Sequence, residues 1–299
     1  MPISYLDRNP QLNNSDDLSF ISSEIQKQNI KSLSHAFKKI DQNPLPPTLF
    51  AEAASSRFAD REPKAGDVFG RGKVEKVFAK GGAYIFLITA DNDIPLLVCR
   101  GMCPNRKGAT GQYLSGVNGV TLDFGFYGAQ QNIEDINNYL DSRQITQVNL
   151  IGKSLGGSHA QYLSLLLKAK TQLLVTYCSP GIGNFKTSAD VIALRNDGDK
   201  VPYLGGAHIS GATTRIFSIK HADAEWTSSN ESFLRKIIAF FKSFATPHVR
   251  QTTMQPFTIK ELPLTHLNDG NTFEPIRKIV AHCFNILTAR YFNRVRFSL

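Results

Sequence analysis

The apolar and polar residues in the middle of the chain follow strand-like and helix-like patterns in alternation. Short apolar runs bounded by turn residues predict strands, and apolar residues spaced three or four apart predict helices. The predicted elements are strands Ala83–Ala90 and Ile94–Cys99, a helix from about Gln130 to Ser142, strand Val148–Ile151, a helix from about Gly156 to Ala169, and strands Leu173–Cys178 and Val191–Arg195. This alternation predicts an α/β fold with a mainly parallel central sheet and helices on both faces.

The segments on either side of this core have different patterns. Residues 1–65 are polar at first and then carry helical spacing over residues 21–40, so we expect a partly helical N-terminal extension. Residues 66–250 form the expected α/β core, with a glycine-rich loop at Met102–Val120 and a phenylalanine-rich helix at Glu231–Phe244. Residues 251–299 form the expected C-terminal extension, which ends in a basic amphipathic helix from about Ile276 to Phe292.

One serine flanked by glycines is the candidate nucleophile. Gly152 and Gly156 flank Ser154 in the pattern Gly-x-Ser-x-Gly, between the predicted strand Val148–Ile151 and the next helix. A serine on such a sharp strand-to-helix turn is exposed as a nucleophile, and the glycines leave room for the close packing of the turn. The Gly-Lys-Ser sequence also ends a phosphate-binding P-loop, but Gln147 stands where that motif needs glycine.

Composition and charge limit the partners, cofactors and cellular location that we expect. The chain has 299 residues and a formal net charge of +9, with basic residues spread along its length. We find no zinc-finger spacing and no RNA-binding aromatic pattern, so nucleic acid is not an expected partner. The 4 cysteines are expected to be reduced, and neither a metal nor another cofactor is expected. With no signal peptide and no apolar stretch of about 18 residues, we expect a protein that is cytoplasmic or exported without a cleavable signal, and not transmembrane.

Several segments of the chain resemble segments of the fungal-type lipases, the class 3 lipase family of α/β-hydrolases. They occur in the same order in both. Gly152–Gly157 is similar to that family's Gly-His-Ser-Leu-Gly-Gly elbow, with Lys153 in place of histidine. Four further segments are similar to family segments: Cys99–Met102, Tyr177–Asn184, Asp199–Pro202, and His221 with Glu225 and Trp226. The resemblance covers about residues 80–250 and implies an α/β-hydrolase fold and hydrolysis of carboxylic esters, with esters of lipids as the expected substrates.

The proposed nucleophile needs an acid and a base. In α/β-hydrolases these follow the serine in the order acid, then histidine. Asp199 follows the strand Val191–Arg195 by a short loop and matches the family's Asp-x-Val-Pro, whereas Asp197 is the alternative acid. For the base we favour His248, which follows the phenylalanine-rich helix and Pro247, and His221 and then His266 remain alternatives.

The resemblance also implies an oxyanion hole. Its two donors would be the backbone N–H groups of Leu155, directly after the nucleophile, and of Met102, after the Arg100-Gly101 strand end. The expected partner is a lipid or other acyl ester, and the basic C-terminal helix is expected either to dock on its own domain or to bind an anionic membrane surface. The alternative function is a catalytically silent hydrolase fold that acts as a lipid-binding or interaction module.

Overall fold

The computed structural model describes residues 63–69, 72–90, 94–101, 125–199, 201–203, 205–221 and 257–269. The predicted helices over residues 21–40, Glu231–Phe244 and Ile276–Phe292 lie outside these ranges, as does the glycine-rich loop after Gly101. Within the described part of the chain, no helix is long and apolar enough to cross a bilayer.

One mixed sheet organises the described residues. Its strands are β1 (Val68–Phe69), β2 (Gly72–Phe78), β3 (Ile85–Thr89), β4 (Leu96–Cys99), β5 (Gln147–Lys153), β6 (Lys170–Tyr177), β7 (Asp190–Asn196), β8 (Thr214–His221) and β9 (Phe257–Leu262). The strands lie in the sheet in their order along the chain. Strand β9 pairs with β8 although it lies beyond residue 250, where the sequence predicted the end of the core.

The centre of the sheet is parallel. Strands β4 to β8 pair in parallel, and the predicted hairpin of β3 and β4 pairs antiparallel beside them. These observations confirm the mainly parallel central sheet. The carboxyl ends of β4, β5, β6 and β7 therefore lie along the same edge, which is where open α/β sheets carry their ligands.

Two helices connect the central strands. Helix α1 (Phe126–Ser142) joins β4 to β5, and helix α2 (Leu155–Leu166) joins β5 to β6. Helix α1 begins earlier than predicted because Phe126 packs edge-on against Tyr162 of α2, with ring centroids 5.2 Å apart. Helix α2 ends earlier than predicted because Leu167 adopts an extended backbone that leads into β6.

The two faces of the sheet are both buried but are covered differently. Leu97, Leu150 and Leu174 point to one face, where they form a core with Ile136 of α1 and Leu163 of α2. The opposite face carries a second buried core, and its described members come from the strands and from Cys178, which follows β6. Both described helices thus pack on one face of the sheet.

Candidate active site

Ser154 occupies the single residue between the end of β5 and the start of α2. Its φ of 55° and ψ of −131° lie outside the favoured regions for a residue with a side chain. The turn is fixed by two backbone bonds: the N–H of Ser154 donates to the carbonyl of Tyr177 at 2.9 Å, and its own carbonyl accepts from Gly157 at 2.8 Å. Strained residues of this kind are found at functional sites, where the surrounding structure holds them in place.

The glycines around Ser154 allow backbone segments to approach closely. A Cβ atom on Gly152 would lie 2.1 Å from the carbonyl oxygen of Gly156, and one on Gly156 would lie 2.1 Å from the carbonyl oxygen of Cys99. A Cβ atom on Gly157 would lie 2.4 Å from the side chain of Ser179. Any larger residue at 152 or 156 would therefore collide with backbone, which explains the spacing of glycines seen in the sequence.

Of the two residues expected to form the oxyanion hole, Leu155 is described and directly follows Ser154. Leu155 is the first residue of α2, so its N–H belongs to the first turn, where backbone donors have no intrahelical partner. Gly101 follows β4 and lies close to the serine, since a Cβ atom built on it would be 3.4 Å from the Cβ of Ser154. Met102 lies outside the described residues.

Asp199 lies in the turn after β7, at the same edge of the sheet as Ser154. Its side chain is buried, with 2% exposure, and Oδ1 accepts a hydrogen bond from the N–H of Val201 at 2.9 Å. Its own N–H donates to the carbonyl of Asn196 at 3.1 Å. The alternative acid, Asp197, is exposed to solvent. Of the two, only Asp199 is a buried carboxylate directed into the protein by neighbouring donors.

Cys178 and Lys153 add to the surroundings of Asp199. Burial and the neighbouring Asp199 carboxylate raise the pKa of the Cys178 thiol well above its usual range, so the thiol stays protonated. The ammonium group of Lys153 lies 5.5 Å from the centre of the Tyr177 ring. The hydroxyl of Tyr177 in turn donates to the side-chain oxygen of Asn196 at 2.7 Å. The sequence analysis did not assign a role to these residues.

The histidines proposed as the base are only partly described. His221 is the last residue of β8 and its backbone pairs with Phe257 of β9. The side chain of His221 is not among those that the structure describes. His248 lies outside the described residues altogether. His266 lies in a short 3-10 helix, Leu264–Asn268, and its Nδ1 is 2.9 Å from Oδ2 of Asp269. The structure therefore gives His266 a carboxylate partner other than Asp199.

Two further histidines are buried but differ in their contacts. Nδ1 of His208 lies 3.0 Å from the carbonyl oxygen of Ile209 and therefore donates, so Nε2 accepts from the hydroxyl of Thr176 at 2.7 Å. Neither ring nitrogen of His159, in α2, has a hydrogen-bond partner in the described part of the chain. Burial lowers the pKa of each histidine to about 4, and for His208 the charge of Arg195 adds to this effect. Both imidazoles are neutral at pH 7.

A buried polar cluster behind the elbow was missed by the sequence analysis. The side-chain amide of Gln161 donates to the carbonyl of Pro180 at 2.9 Å and to the hydroxyl of Ser179 at 3.0 Å. Its oxygen accepts from the N–H of Ile209 at 3.2 Å. Gln161 thus joins α2 to two loops. The available signal was an amide side chain in a helix whose neighbouring positions are buried.

The described sheet and the serine on its strand–turn–helix elbow define an α/β-hydrolase fold. In the same residues, no group of three or more histidine, cysteine, aspartate or glutamate side chains is arranged to hold a metal ion.

Solved structures with a similar fold are fungal lipases. The chain is similar to the Lip2 lipase of Yarrowia lipolytica, with 16% identity over 56% of this chain and 76% of that one and a TM-score of 0.41. It is similar to a triacylglycerol lipase of Penicillium expansum, with 12% identity over 63% and 79% and a TM-score of 0.42. For lipase II of Rhizopus niveus the values are 14% identity over 80% and 96% and a TM-score of 0.40. No protein-family model matches the sequence, and no curated protein sequence is significantly similar to it.

Proposed function

We propose that this protein is a serine hydrolase of carboxylic esters, with Ser154 as the nucleophile. The observation that carries the proposal is the backbone of Ser154, which holds a positive φ between the end of β5 and the start of α2. The strained serine lies at a helix N-terminus. Gly152 and Gly156 support it there, because they let the backbone segments of the turn pack closely. The lipid nature of the ester is an expectation that rests on the sequence resemblance alone.

In the first half of the proposed reaction, a histidine takes the proton of Ser154 Oγ as that oxygen attacks the ester carbonyl carbon. The negative charge that develops on the carbonyl oxygen is stabilised by backbone N–H groups, for which Leu155 and Met102 are our candidates. The ester C–O bond then breaks. The histidine gives its proton to the departing alcohol, and the acyl group stays on Ser154.

In the second half, water attacks the acyl-enzyme. The same histidine removes a proton from the water, and the acyl carbon–Oγ bond then breaks. The proton returns to Ser154, and the carboxylic acid leaves. Through both halves, a carboxylate keeps the imidazole in the required tautomer and stabilises its charged form. Asp199 is the candidate because it is buried at the same edge of the sheet and is held by the N–H of Val201.

The base remains the open assignment of the proposed triad. His248 is the first candidate and His221 the second, with Asp199 as the acid for either. His266 is a different case because it is already paired with Asp269. If His266 were the base, replacing Asp269 rather than Asp199 would produce the larger loss of activity. The two aspartates therefore separate His266 from His248 and His221.

The test is hydrolysis of p-nitrophenyl esters of short and long acyl chains, together with labelling by a fluorophosphonate probe. We expect the wild type to be active and labelled, and Ser154→Ala to lose activity by on the order of 10³-fold or more and to be unlabelled. We expect the same loss for His248→Ala and little loss for His221→Ala. Ser164→Ala is the matched control, since its hydroxyl binds the carbonyl of Gln161 within the same helix and lies away from the turn.

The contrary result is equally informative. A wild type that hydrolyses none of the esters and is not labelled by the probe would contradict the proposal. The fold would then be better explained as a catalytically silent module that binds lipids or another partner. Binding of long-chain fatty acid by this inactive protein, measured by calorimetry, would support that second function.

A further inference from the structure

Lys153 puts a positive charge beside the proposed nucleophile. It is the last residue of β5, and Ser154 follows it directly. Residues 148–152 of the strand are buried, whereas Lys153 is half-buried. The strand therefore leaves the core at Lys153. This is also the edge of the sheet at which open α/β folds bind their ligands.

The side chain of Lys153 lies on the face of the sheet opposite α2. Side chains alternate between the two faces along a strand, and Ile151, two positions earlier, belongs to the core on that face. Helix α2 packs with Leu150 on the other face. The ammonium group is therefore not covered by the helix that follows the nucleophile, although Lys153 and Ser154 are adjacent in the chain.

The ammonium group leans across the neighbouring strand toward the turn that carries Asp199. Lys153 pairs with Tyr177 of β6, and its Nζ lies 5.5 Å from the centre of the Tyr177 ring. The hydroxyl of Tyr177 donates to the side-chain oxygen of Asn196, at the end of β7, so this side chain reaches from β6 to β7. The charge therefore lies between the nucleophile after β5 and the candidate acid after β7.

The contact with Tyr177 leaves the N–H donors of Lys153 available. A lysine ammonium has three donors, and the face of a ring attracts the charge without replacing an oxygen acceptor. Among the residues that the structure describes, no carboxylate forms an ion pair with Lys153, and no group accepts a hydrogen bond from its Nζ. Burial has already removed part of the hydration of this cation. An anion can therefore bind it at a reduced further cost in desolvation.

We propose that Lys153 determines substrate specificity, and that its ammonium binds an anionic oxygen group on the ester. The inference rests on the proposed function, because it names the class of ester that the same site prefers. The anionic group is a carboxylate on the acyl chain or a phosphate on the alcohol, since a lysine ammonium is a point charge that binds either. Its flexible stem of four carbons suits an anionic group several bonds from the ester carbonyl.

The first experiment compares two p-nitrophenyl esters of nearly the same shape. One is the monoester of adipic acid, which carries a negative charge at pH 7, and the other is the corresponding ester of the neutral half amide. We expect the wild type to prefer the charged ester about tenfold in kcat/KM, mainly through a lower KM, because the anion is bound before the transition state as well as in it. Sodium chloride at about 1 M should reduce this preference, because a half-exposed charge is screened.

Three substitutions of Lys153 test whether its charge is the cause. Lys153→Met keeps a long side chain over Tyr177 without the charge, so the two esters should become about equal. Lys153→Arg should keep the preference to within about threefold, and Lys153→Glu should reverse it. Lys168→Met is the matched control and should keep the preference of the wild type, since Lys168 is exposed, pairs with Asp141 and follows the far end of α2. Because the ratio is measured within each variant, it does not depend on the fraction of folded protein.

A second pair of esters distinguishes the two sources of the anion. Hexanoyl esters of glycerol phosphate and of glycerol differ in charge on the alcohol side, and release of hexanoic acid measures their hydrolysis. A preference for the charged ester in the adipate pair alone assigns the anion to the acyl chain, and one in the glycerol pair alone assigns it to the alcohol. Either result supports the proposal.

The specificity and the proposed function fail in different ways. A wild type that hydrolyses the charged and neutral members of both pairs equally well would overturn the role of Lys153, as would a Lys153→Met protein that keeps the preference. Both results leave the serine hydrolase in place. A wild type that is inert on every ester and unlabelled by the fluorophosphonate probe overturns the proposed function, and the specificity with it. A preference that is lost in Lys153→Met and kept in Lys153→Arg supports both.

Discussion

The turn after β5 and the turn after β7 lie at the same edge of the sheet, yet they are held in opposite ways. The first, around Ser154, depends on missing side chains, since glycines 152 and 156 let backbone approach backbone. The second, around Asp199, depends on side chains and N–H groups that bind one another. The first turn combines backbone hydrogen bonds with close packing of backbone that only glycine permits, whereas the second turn also uses hydrogen bonds to side chains. They should therefore respond differently to substitution.

The buried histidines near the two turns show the same contrast. His159 lies in α2, one turn after Ser154, and its ring nitrogens have no partner in the described residues. Its ring fits against Gly128 of α1, where a Cβ atom would lie 2.6 Å from Nε2. His208 instead uses both ring nitrogens in hydrogen bonds, with Thr176 and Ile209. His159 is thus held by packing, and His208 by polar contacts.

The largest expected effect comes from Gly156→Ala. The new methyl group would lie 2.1 Å from the carbonyl oxygen of Cys99, and backbone there cannot move aside without disrupting β4. We expect a loss of more than about 4 kcal/mol in the free energy of unfolding, or no folded protein at all, by denaturant titration. Gly157→Ala is the comparison, because its methyl group would lie 2.4 Å from the side chain of Ser179 but no nearer than 3.3 Å to backbone, at the carbonyl oxygen of Gly152. The double variant Gly157→Ala/Ser179→Gly should recover most of the stability that Gly157→Ala loses. A Gly156→Ala protein as stable as the wild type would contradict the expected collision with backbone.

A smaller effect is expected from Asp269→Asn, on the side held by hydrogen bonds. Asp269 accepts from the guanidinium of Arg195 at 3.1 Å, and the Arg195 side chain has only 8% exposure. Loss of the carboxylate leaves a buried cation without its counterion. We expect about 2 to 3 kcal/mol of destabilisation, below the range for fully buried pairs because Asp269 is partly exposed.

The control for this substitution is Glu261→Gln. It breaks a bidentate ion pair with Arg215 in which Glu261 is half exposed. We expect a loss of under about 1 kcal/mol there, as for other surface pairs. Equal losses in Asp269→Asn and Glu261→Gln would show that burial of Arg195 adds nothing.

The last expected effect is a pH dependence of the free energy of unfolding that the two histidines share, together with a loss at pH 7 that distinguishes them. Both have a folded pKa of about 4, below the value of about 6.5 expected when unfolded, so the unfolded chain binds more protons between these limits. Stability therefore falls as the pH falls below about 6.5, by on the order of 2 kcal/mol per histidine at pH 5. His159→Phe and His208→Phe should each remove one such contribution. His208→Phe should also cost about 1 to 3 kcal/mol at pH 7, because Thr176 loses its acceptor.

Urea titrations from pH 7 to pH 4 measure both differences. The comparison between the turns would be wrong if His159→Phe proved as destabilising at pH 7 as His208→Phe.

The features that could be predicted from the sequence are those set by neighbouring residues, whereas contacts between distant residues could not be predicted. The elbow was predictable because its determinants, from the strand before Ser154 to Gly156, lie within a few residues. The hairpin of β3 and β4 and the two helices were predictable for the same reason. The contact of Arg195 with Asp269 was not predictable, because it joins residues far apart in the chain. Arg195 and Asp269 are 74 positions apart, and no local pattern marks their pairing.

Helix ends and the edge of the sheet show the same limit. The start of α1 depends on the contact of Phe126 with Tyr162, which is a tertiary contact. Strand β9 joins the sheet through its pairing with β8, although its sequence lies in a segment that we predicted to be an extension. The catalytic histidine stays a prediction, since His248 lies outside the described residues and the side chain of His221 is not described.

The consecutive order of the strands has a consequence for how the protein is made. Each described strand after the first hydrogen-bonds to the one before it in the chain, so within the described sheet the pairing follows the order of synthesis. A nascent chain leaving the ribosome can add strands to a growing sheet one at a time, with a small loop-closure cost at each step. Until the next strand arrives, the last one presents an open edge, which is the kind of surface that invites aggregation. Antiparallel β9 covers the edge of β8, so the chain that follows β8 also affects safe folding.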